Sequence, residues 1–484
     1  MSELVEHAGP WILSLRGELV AVLGGCVGLI SLWGRAYHAM VFLASGAMLL
    51  VVTRPDVADV MFASLMITGV VTGTLEPRRI LQPAHITVCV GGFVLAYGIS
   101  VFLGGADWIA VGNLLAKLTF FCFLRMYLTS LRRMRVFFAG YLLSVTASGL
   151  VLATSRGNEA LRILYPLADD LRARAFAADP NVLGPLTVPL NLWLIDEIIE
   201  PKLWPAPRVL KLLALAFCMF PLVAAMSRGA WLNFGLALCV YTAVTLRRRA
   251  ARRCLILTGV VVSVAVAAWL GASYAGTSWL LRRFESEPRM FERFQYQRQG
   301  LDVSLEHPLG IGPVRSPEVL PKTPHNTFVL VLVENGWLAC LATCALIGFL
   351  TMRLVRRSAR GGHSRLGTYH HCAVSLVLGL VANSLVVDTL YWRAFWMVLG
   401  LAWVTGWPAG SRAAVEWSLR EPARARTIGA GPAAVQPSPS TARKRPTLAG
   451  GTMLPPRPRA GRPLLVPPAS ERESFSQRQQ APPL

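Results

Sequence analysis

The sequence predicts an all-α polytopic membrane protein. Of its 484 residues, 54% are hydrophobic and only 15% are charged, whereas a soluble chain carries roughly 25% charged residues. Apolar runs of about 17–22 residues recur as far as residue 408, and each is long enough to cross a hydrocarbon core of ~30 Å as a helix. We therefore predict about 12–13 transmembrane helices within a domain that spans residues 1–407.

The predicted helices follow the apolar runs along the chain. The first two runs are short. Counted separately they give about 13 spans with the N-terminus outside, and counted as one they give about 12 spans with both ends inside. The runs lie at about 17–34, 36–53, 57–75, 84–103, 106–129, 136–154, 182–199, 208–226, 229–246, 254–273, 328–350, 368–387 and 389–407.

Basic residues determine the predicted orientation of these helices. The net charge is +22, and most Lys and Arg lie in short clusters between apolar runs or after residue 407, as expected from the positive-inside rule and from contact with anionic lipid. Placing the clusters 247–253 and 353–365 in the cytoplasm puts the other clusters there by alternation. Those clusters are 78–79, 132–135 and 202–211.

Two long loops then lie outside the cytoplasm, at 155–181 and at 274–323, the second of about 50 residues. The segment 408–484 is rich in Pro, Ala, Arg, Ser and Gln and has no apolar run, which predicts a disordered, basic cytoplasmic tail. Nucleic acid is not an expected partner, because no basic stretch is interleaved with aromatic residues as in a nucleic-acid-binding module.

Some charged residues do not follow the positive-inside rule. Arg228 stands between two apolar runs on the outer side, with no acidic residue near it in sequence. Such an arginine suits a phosphate or the diphosphate of a lipid-linked ligand, through bidentate hydrogen bonds. For Arg282, Arg283 and Arg289 we favour the alternative, ion pairs with glutamates of the same loop. Lys117 lies too deep within its run to reach the interface, so we expect it to face a wet cavity.

His325 lies at the outer mouth of the run 328–350, after Pro324, which fixes a turn, and before Asn326, a good helix N-cap. A neutral imidazole at a wet mouth could accept a proton from a sugar hydroxyl. The alternative is an interfacial residue without chemistry. In a straight helix Glu334 would lie about 13 Å deeper and on roughly the opposite face, where we expect a packing or polar-network role. No metal site is expected, because no cluster has ligand spacing on this side.

Four short motifs occur in order on the predicted outer side. They are Asp179-Pro180-Asn181, Ser227-Arg228-Gly229-Ala230, Arg293 to Tyr296 followed by Gly300-Leu301 and by 307–312, and His325-Asn326 followed by Glu334-Asn335-Gly336. In these motifs the chain resembles the O-antigen ligase and O-antigen polymerase-like family of bacterial envelope glycosyltransferases. The resemblance covers about residues 174–340, and the flanking helices match only in number and character.

The resemblance implies a C-type glycosyltransferase fold and a metal-independent, inverting reaction that needs no cofactor. The donor it implies is a glycan on undecaprenyl diphosphate, used at the periplasmic face of the bacterial inner membrane. By motif position, His325 looks like the base that activates the acceptor hydroxyl, and Arg228 and Arg293 look like the diphosphate-binding residues. Arg298 is a fallback for Arg293, and Arg174 is a weaker candidate. Residues expected to support the site are Asn181, Asn326 and Glu334.

The activities within this family differ in the acceptor of the glycan. The end of another repeat unit would make it a polysaccharide polymerase, which we favour. A lipid acceptor would make it a ligase, and a protein hydroxyl an oligosaccharyltransferase. Partners would be the lipid-linked glycan, the acceptor glycan or lipid, membrane lipid and other polysaccharide-export proteins. Two interpretations from other classes remain: a transporter of a lipid or an anion, which would also use arginines in a cavity, and a structural scaffold whose tail recruits partners.

Overall fold

The computed structural model describes residues 22–34, 36–50, 56–105, 107–155, 179–245, 259, 289–359 and 369–406. These residues form helices joined by turns and contain no β-strand. The helices are α1 (Val22–Ser31), α2 (Tyr37–Gly46), α3 (Val57–Val71), α4 (Ala84–Gly104), α5 (Trp108–Tyr127), α6 (Leu131–Ser155), α7 (Pro180–Ile199), α8 (Arg208–Ala224), α9 (Arg228–Thr245), α10 (Arg289–Glu306), α11 (Ser316–Val319), α12 (Thr327–Ala359), α13 (His370–Val386) and α14 (Arg393–Thr405).

These helices confirm the all-α polytopic prediction. Every predicted apolar run except 254–273, of which only residue 259 is described, overlaps one of them. Within the described part of the chain, five helices are long and apolar enough to cross a membrane: α4, α5, α6, α7 and α12. Helices α1, α3, α13 and α14 are apolar but shorter. The predicted tail 408–484 and most of the loop 155–181 also lie outside the described residues.

One end of the helix bundle carries the basic clusters, and we call it the basic end. Arg125 in the last turn of α5 donates to the carbonyl oxygen of Arg79 at 3.3 Å, and Arg353 of α12 donates to the carbonyl oxygen of Gly406 after α14. Lys211 of α8 reaches the carbonyl oxygen of Glu197 at 3.1 Å. Arg125 also lies 5.5 Å from the ring centre of Trp403 in α14, and Tyr369, just before α13, donates to Glu197. The basic residues named here therefore lie at one end, and we call the opposite end the site end. The cluster 247–253 lies outside the described residues.

The predicted single helix over 328–350 is wrong, because α12 breaks at Gly336, where φ is 80° and ψ is 177°. Twelve residues of straight helix would separate Phe328 from Cys340 by about 18 Å, yet the Cys340 sulfur lies 3.8 Å from the Phe328 carbonyl oxygen. The chain thus doubles back at Gly336. Residues 327–335 form a short helix at the site end, and 337–359 form the helix that runs back to the basic end.

The break is stabilised by the loop that precedes it. The amides of Ile311 and Gly312 donate to the carbonyl oxygens of Val333 and Glu334, each at 3.0 Å, and the Trp337 amide donates to the Pro308 carbonyl oxygen at 3.0 Å. Backbone groups that a continuous helix would have paired are thereby satisfied, as an apolar environment requires. The short helix therefore does not carry Glu334 towards the basic end.

Candidate functional site

His325 occupies a strained position at the entry to the short helix. Its φ is 47°, in the left-handed region that residues other than glycine rarely adopt. The next residue, Asn326, caps the helix as predicted: its Oδ1 accepts from the amides of Phe328 at 3.0 Å and Val329 at 3.3 Å. Thr327 anchors the same turn by donating to the Val387 carbonyl oxygen at 3.1 Å.

The electrostatic surroundings of His325 favour its neutral form. Burial lowers the pKa of the imidazole below its usual 6.5, and the positive charges of Arg293 and Lys322 act in the same direction. The carboxylate of Asp179 acts in the opposite direction. The surroundings of the half-buried imidazole therefore favour its unprotonated form, which is the form that can accept a proton.

Arg228 is the first residue of α9, at the tight join that the sequence predicts. The preceding turn is strained, because Met226 has a φ of 47°. Ser227 donates to the Oδ1 of Asn181 at 3.0 Å, and the Asn181 amide donates to Asp179 Oδ1 at 2.7 Å. The first and second sequence motifs are thus joined by hydrogen bonds at the site end.

The join leaves no room for a larger residue after Arg228. A Cβ atom added to Gly229 would lie 2.5 Å from Oδ1 of Asn383 and 2.7 Å from the Val387 side chain. The carbonyl oxygen of Val387, just after α13, also accepts the hydrogen bond from the Thr327 hydroxyl. The ends of α9 and α13 and the start of the short helix therefore meet here, which brings Arg228 and His325 to the same end of the bundle.

Arg293 and Arg298 both lie on α10, but they differ in their surroundings. Arg293 is half-buried, and its charge acts on His325. Arg298 is exposed. A Cβ atom on Gly300 would lie 2.7 Å from Val329, so α10 packs closely on the short helix. Arg174 lies outside the described residues.

Glu334 has the polar-network role that we predicted, although the break in α12 changes its position. Its two carboxylate oxygens accept hydrogen bonds from the hydroxyls of Ser316 and Tyr391, both at 2.8 Å. Asn335 accepts from Ser100 of α4 at 3.3 Å. Glu334 therefore ties the short helix to the loop before it and to the turn between α13 and α14.

A cavity of about 530 Å³ lies between these elements, within the size range of ligand pockets. The starts of α5 and α7, the loop around residues 314–323, the short helix and the turn before α14 all contribute to its wall. Thr323 and Asp179 line it, which puts His325 beside its rim. Since Ile109 and Lys117 both line the cavity and lie eight residues apart on α5, it reaches about 12 Å into the bundle.

The floor of the cavity holds a buried ion cluster. Lys117 lines the cavity, as predicted, and pairs with Asp59 and, at 3.4 Å, with Asp56. Arg393 donates to the same two carboxylates, at 2.9 Å and 3.0 Å. Two positive and two negative groups thus neutralise one another, as burial in an apolar environment requires.

Several residues of this cavity were not predicted from the sequence. Asp59 and Arg393 lie in apolar runs and carry charges opposite to each other, and pairing them with Lys117 would have predicted the ion cluster. Asp388 and Tyr391 lie in a turn without a recognisable motif, and only the fold brings them to Glu334. Among the described residues, no group of three or more His, Cys, Asp or Glu that could hold a metal ion is found.

Comparison with known proteins bears on the part of the chain that builds this site. A search of curated proteins finds no match. Residues 213–344 match the model of a family described as O-antigen ligase, a stretch that includes Arg228, Arg293, Arg298, His325 and Glu334. The match supports a glycan-transferring function of the ligase or polymerase type, and it confirms for this chain the resemblance to the O-antigen ligase and polymerase-like family. Three of the four motifs lie within the matched residues, and Asp179-Pro180-Asn181 lies before them.

Proposed function

We propose that this protein polymerises a polysaccharide by transferring a glycan from undecaprenyl diphosphate to an acceptor hydroxyl, at the periplasmic face of the bacterial inner membrane. The observation that carries the proposal is the setting of His325. The residue is half-buried, held in a left-handed conformation, subject to the charge of Arg293 and located beside the rim of a cavity. That setting suits a general base next to an anionic leaving group.

In the proposed reaction the acceptor oxygen attacks the anomeric carbon of the donor sugar. The bond between that carbon and the diphosphate oxygen breaks as the new glycosidic bond forms. The acceptor proton passes to His325, and undecaprenyl diphosphate leaves with the electron pair. Arg228 and Arg293 would stabilise the charge that grows on the leaving diphosphate. Attack from the face opposite the diphosphate inverts the anomeric centre, and no step requires a metal ion.

Arg293 is a better candidate than Arg298 for the second diphosphate-binding residue. Its half-buried position near His325 would let it act where the charge develops. An exposed arginine such as Arg298 would hold the diphosphate in a more strongly screened environment. Asn181, Asn326 and Glu334 would act as positioning residues, because their hydrogen bonds join the segments that carry Arg228 and His325.

A transporter remains the second candidate, and two observations favour it. A broken helix at Gly336 and a buried ion cluster at Lys117 are features of transport proteins. The two functions differ in their products, since a transporter forms no glycosidic bond. The acceptor alternatives, a lipid for a ligase or a protein hydroxyl for an oligosaccharyltransferase, use the same chemistry.

The test is a transfer assay with the full-length protein in liposomes. It contains a lipid-linked glycan donor and an acceptor glycan, and it measures both the new glycosidic product and the released undecaprenyl diphosphate. His325→Ala should lower the rate by a factor of about 10²–10⁴, the usual contribution of a general base. The control is His85→Ala, at the start of α4 near the basic end. Full activity of His325→Ala would exclude the proposed base, and no product from the unmodified protein would favour transport.

A further inference from the structure

The wall of the cavity beside His325 carries an excess of acidic residues. Of its described lining residues, five are acidic and two are basic. The two basic residues, Lys117 and Arg393, are already neutralised by Asp56 and Asp59. What remains on the wall is a set of four carboxyl groups without a cationic partner among the described lining residues. They are Asp107, Asp179, Glu334 and Asp388.

These carboxyl groups are held in place and keep capacity to accept hydrogen bonds. Asp107 and Asp179 each accept one backbone amide at the start of a helix, at 2.9 Å and 2.7 Å. Asp388 accepts the Leu390 amide at 3.2 Å. Each carboxylate offers about four acceptor positions, and contacts among the described residues occupy one position on each of these three. Their geometry is set by the turns that they cap.

Besides these carboxyl groups, the ion cluster and the uncharged polar residues Asn113, Ser316 and Thr323, the described wall is apolar and aromatic. Trp392 and Tyr391 line the cavity, together with Val182, Leu186 and Leu330. A sugar ring has hydroxyl groups that donate to carboxylates and a face of C–H groups that packs on an aromatic ring. A wall of fixed acceptors beside aromatic and aliphatic side chains fits both features.

The charge of this wall disfavours anions. A carboxylate on the ligand would approach several carboxyl groups at once, and like charges a few ångströms apart repel each other more strongly in a partly buried cavity than in water. Burial and the charge of Glu334 raise the pKa of Asp388 to about 7, so its negative charge is largely present at pH 8. The same repulsion would keep a diphosphate out of the cavity and near the arginines.

We propose that this cavity binds a sugar ring that is uncharged or bears an amine, and that it discriminates against sugars that carry a carboxylate. This inference deepens the proposed function, on which it rests, by naming the chemical class of the glycan. The chemistry applies equally to the acceptor's terminal sugar and to the sugar next to the donor's diphosphate. The lipid diphosphate itself would lie outside the cavity, on the side of Arg293.

The test measures binding to the full-length protein in lipid nanodiscs at pH 8, without a sugar-based detergent. The probes are three disaccharides of one linkage, whose terminal ring is glucose, its 2-amino derivative or its C6 carboxylate. Titration followed by saturation-transfer NMR gives the three dissociation constants. We expect the neutral and amine forms to bind at least about tenfold more tightly than the carboxylate form, which corresponds to about 1.4 kcal/mol.

A pair of substitutions tests whether the wall causes this discrimination. Asp107→Asn combined with Asp388→Asn removes two negative charges and keeps the oxygen atoms that accept backbone amides. The carboxylate probe should then bind several-fold more tightly, while the neutral probe changes less than about twofold. The control is Glu306→Gln combined with Glu318→Gln, which removes two charges from a separate groove that is lined by Glu306, Arg315 and Glu318.

The outcomes separate this inference from the proposed function. Equal or tighter binding of the carboxylate probe, no saturable binding of the neutral probe, or an unchanged ratio in the double variant would each overturn it. Because binding is measured without turnover, an active His325→Ala would refute the base and leave the cavity assignment intact. In the transfer assay, a change in KM for the acceptor or for the donor would show which of the two supplies the ring.

Discussion

At the scale of single residues, three described residues other than glycine have left-handed backbone conformations, and all three border the proposed site. They are Met226, Val314 and His325, with φ values of 47°, 61° and 47°. Such a conformation costs an L-residue about 1–2 kcal/mol, and it persists only where the surroundings fix it. Met226 precedes the Ser227-Arg228 turn, and Val314 lines the cavity. The strain is consistent with a site whose geometry is set before substrate binds.

The ionisation of His325 leads to a prediction about pH. If His325 is the base, transfer requires the neutral imidazole, and the rate falls as pH drops through its pKa. Because burial and Arg293 lower that pKa, the midpoint of the acid limb of kcat/KM should lie below 6.5. A pH series of initial transfer rates in liposomes measures it.

Two neighbouring charges should shift this midpoint in opposite directions. Lys322→Gln removes a positive charge that lowers the pKa of His325, so the midpoint should move up. Asp179→Asn removes a negative charge that raises the pKa, so the midpoint should move down, while asparagine still caps α7. Shifts in the same direction, or no shift in either variant, would mean that another group controls the acid limb.

The planar guanidinium group of Arg228 should matter for transfer, in addition to its charge. Arg228→Lys should lower transfer by about ten- to a hundredfold, because an ammonium group cannot replace the two parallel hydrogen bonds of a guanidinium group to a diphosphate. Arg132→Lys, an exposed residue in the first turn of α6 at the basic end, is the matched control and should keep its activity. An active Arg228→Lys would mean that charge alone suffices.

At the scale of elements, the break in α12 is the feature that builds the site. It allows Glu334 to meet Ser316 and Tyr391, and it places the short helix between α10 and the turn before α14. Gly310 and Gly336, with φ values of 86° and 80°, make the close contact possible. A Cβ atom on Gly336 would lie 2.5 Å from the carbonyl carbon of Leu309.

Gly336→Ala should therefore destabilise the protein and abolish most transfer. The positive φ alone costs about 1–2 kcal/mol, and the neighbouring backbone cannot move away without losing the hydrogen bonds at Pro308 and Gly312. Gly348→Ala is the control on the same helix, since a Cβ atom there meets nothing within 4 Å. Thermal unfolding in nanodiscs should show a lower midpoint for the first variant only. Equal midpoints would mean that the loop adapts.

The positions of the helices could be predicted from the sequence, but the break in α12 and the acidic wall of the cavity could not. Hydrophobic runs located the helices, because spanning a membrane requires a long apolar segment whatever its neighbours are. The break at Gly336 escaped prediction, since its cause is a partner loop 24 residues earlier in the chain, at residue 312. The motifs indicated Arg228, Arg293 and His325. The acidic wall was not predicted, because Asp107, Asp179 and Asp388 come together only in the fold.

At the scale of the whole molecule, charge is divided along the bundle. The basic end carries residues such as Arg79, Arg125 and Arg353, as expected for the side that faces anionic cytoplasmic lipid. The site end combines an acidic cavity with Arg228 and Arg293, which are not among the described residues that line it. A lipid-linked diphosphate that approaches within the membrane would be attracted to those arginines and repelled by the cavity, while its glycan could enter. This division would orient the donor before the reaction begins.

The nature of the acceptor can be tested in the organism itself. Deleting the gene should leave the lipid-linked donor unconsumed, and the size of the accumulated glycan identifies the lost step. We expect single repeat units on undecaprenyl diphosphate, analysed by mass spectrometry of extracted lipids, as for a lost polymerase. Complementation with His325→Ala should leave this accumulation unchanged, and complementation with His85→Ala should remove it.

The other outcomes of the deletion each indicate a different function. Long glycan chains that remain on the lipid would mean a lost ligase, because polymerisation would then have occurred without this protein. Glycans that accumulate on the cytoplasmic side, protected from an enzyme added to spheroplasts, would mean a lost transporter. The side of accumulation separates transport from transfer, and the chain length separates polymerisation from transfer of a finished chain, so the two measurements together distinguish these three steps.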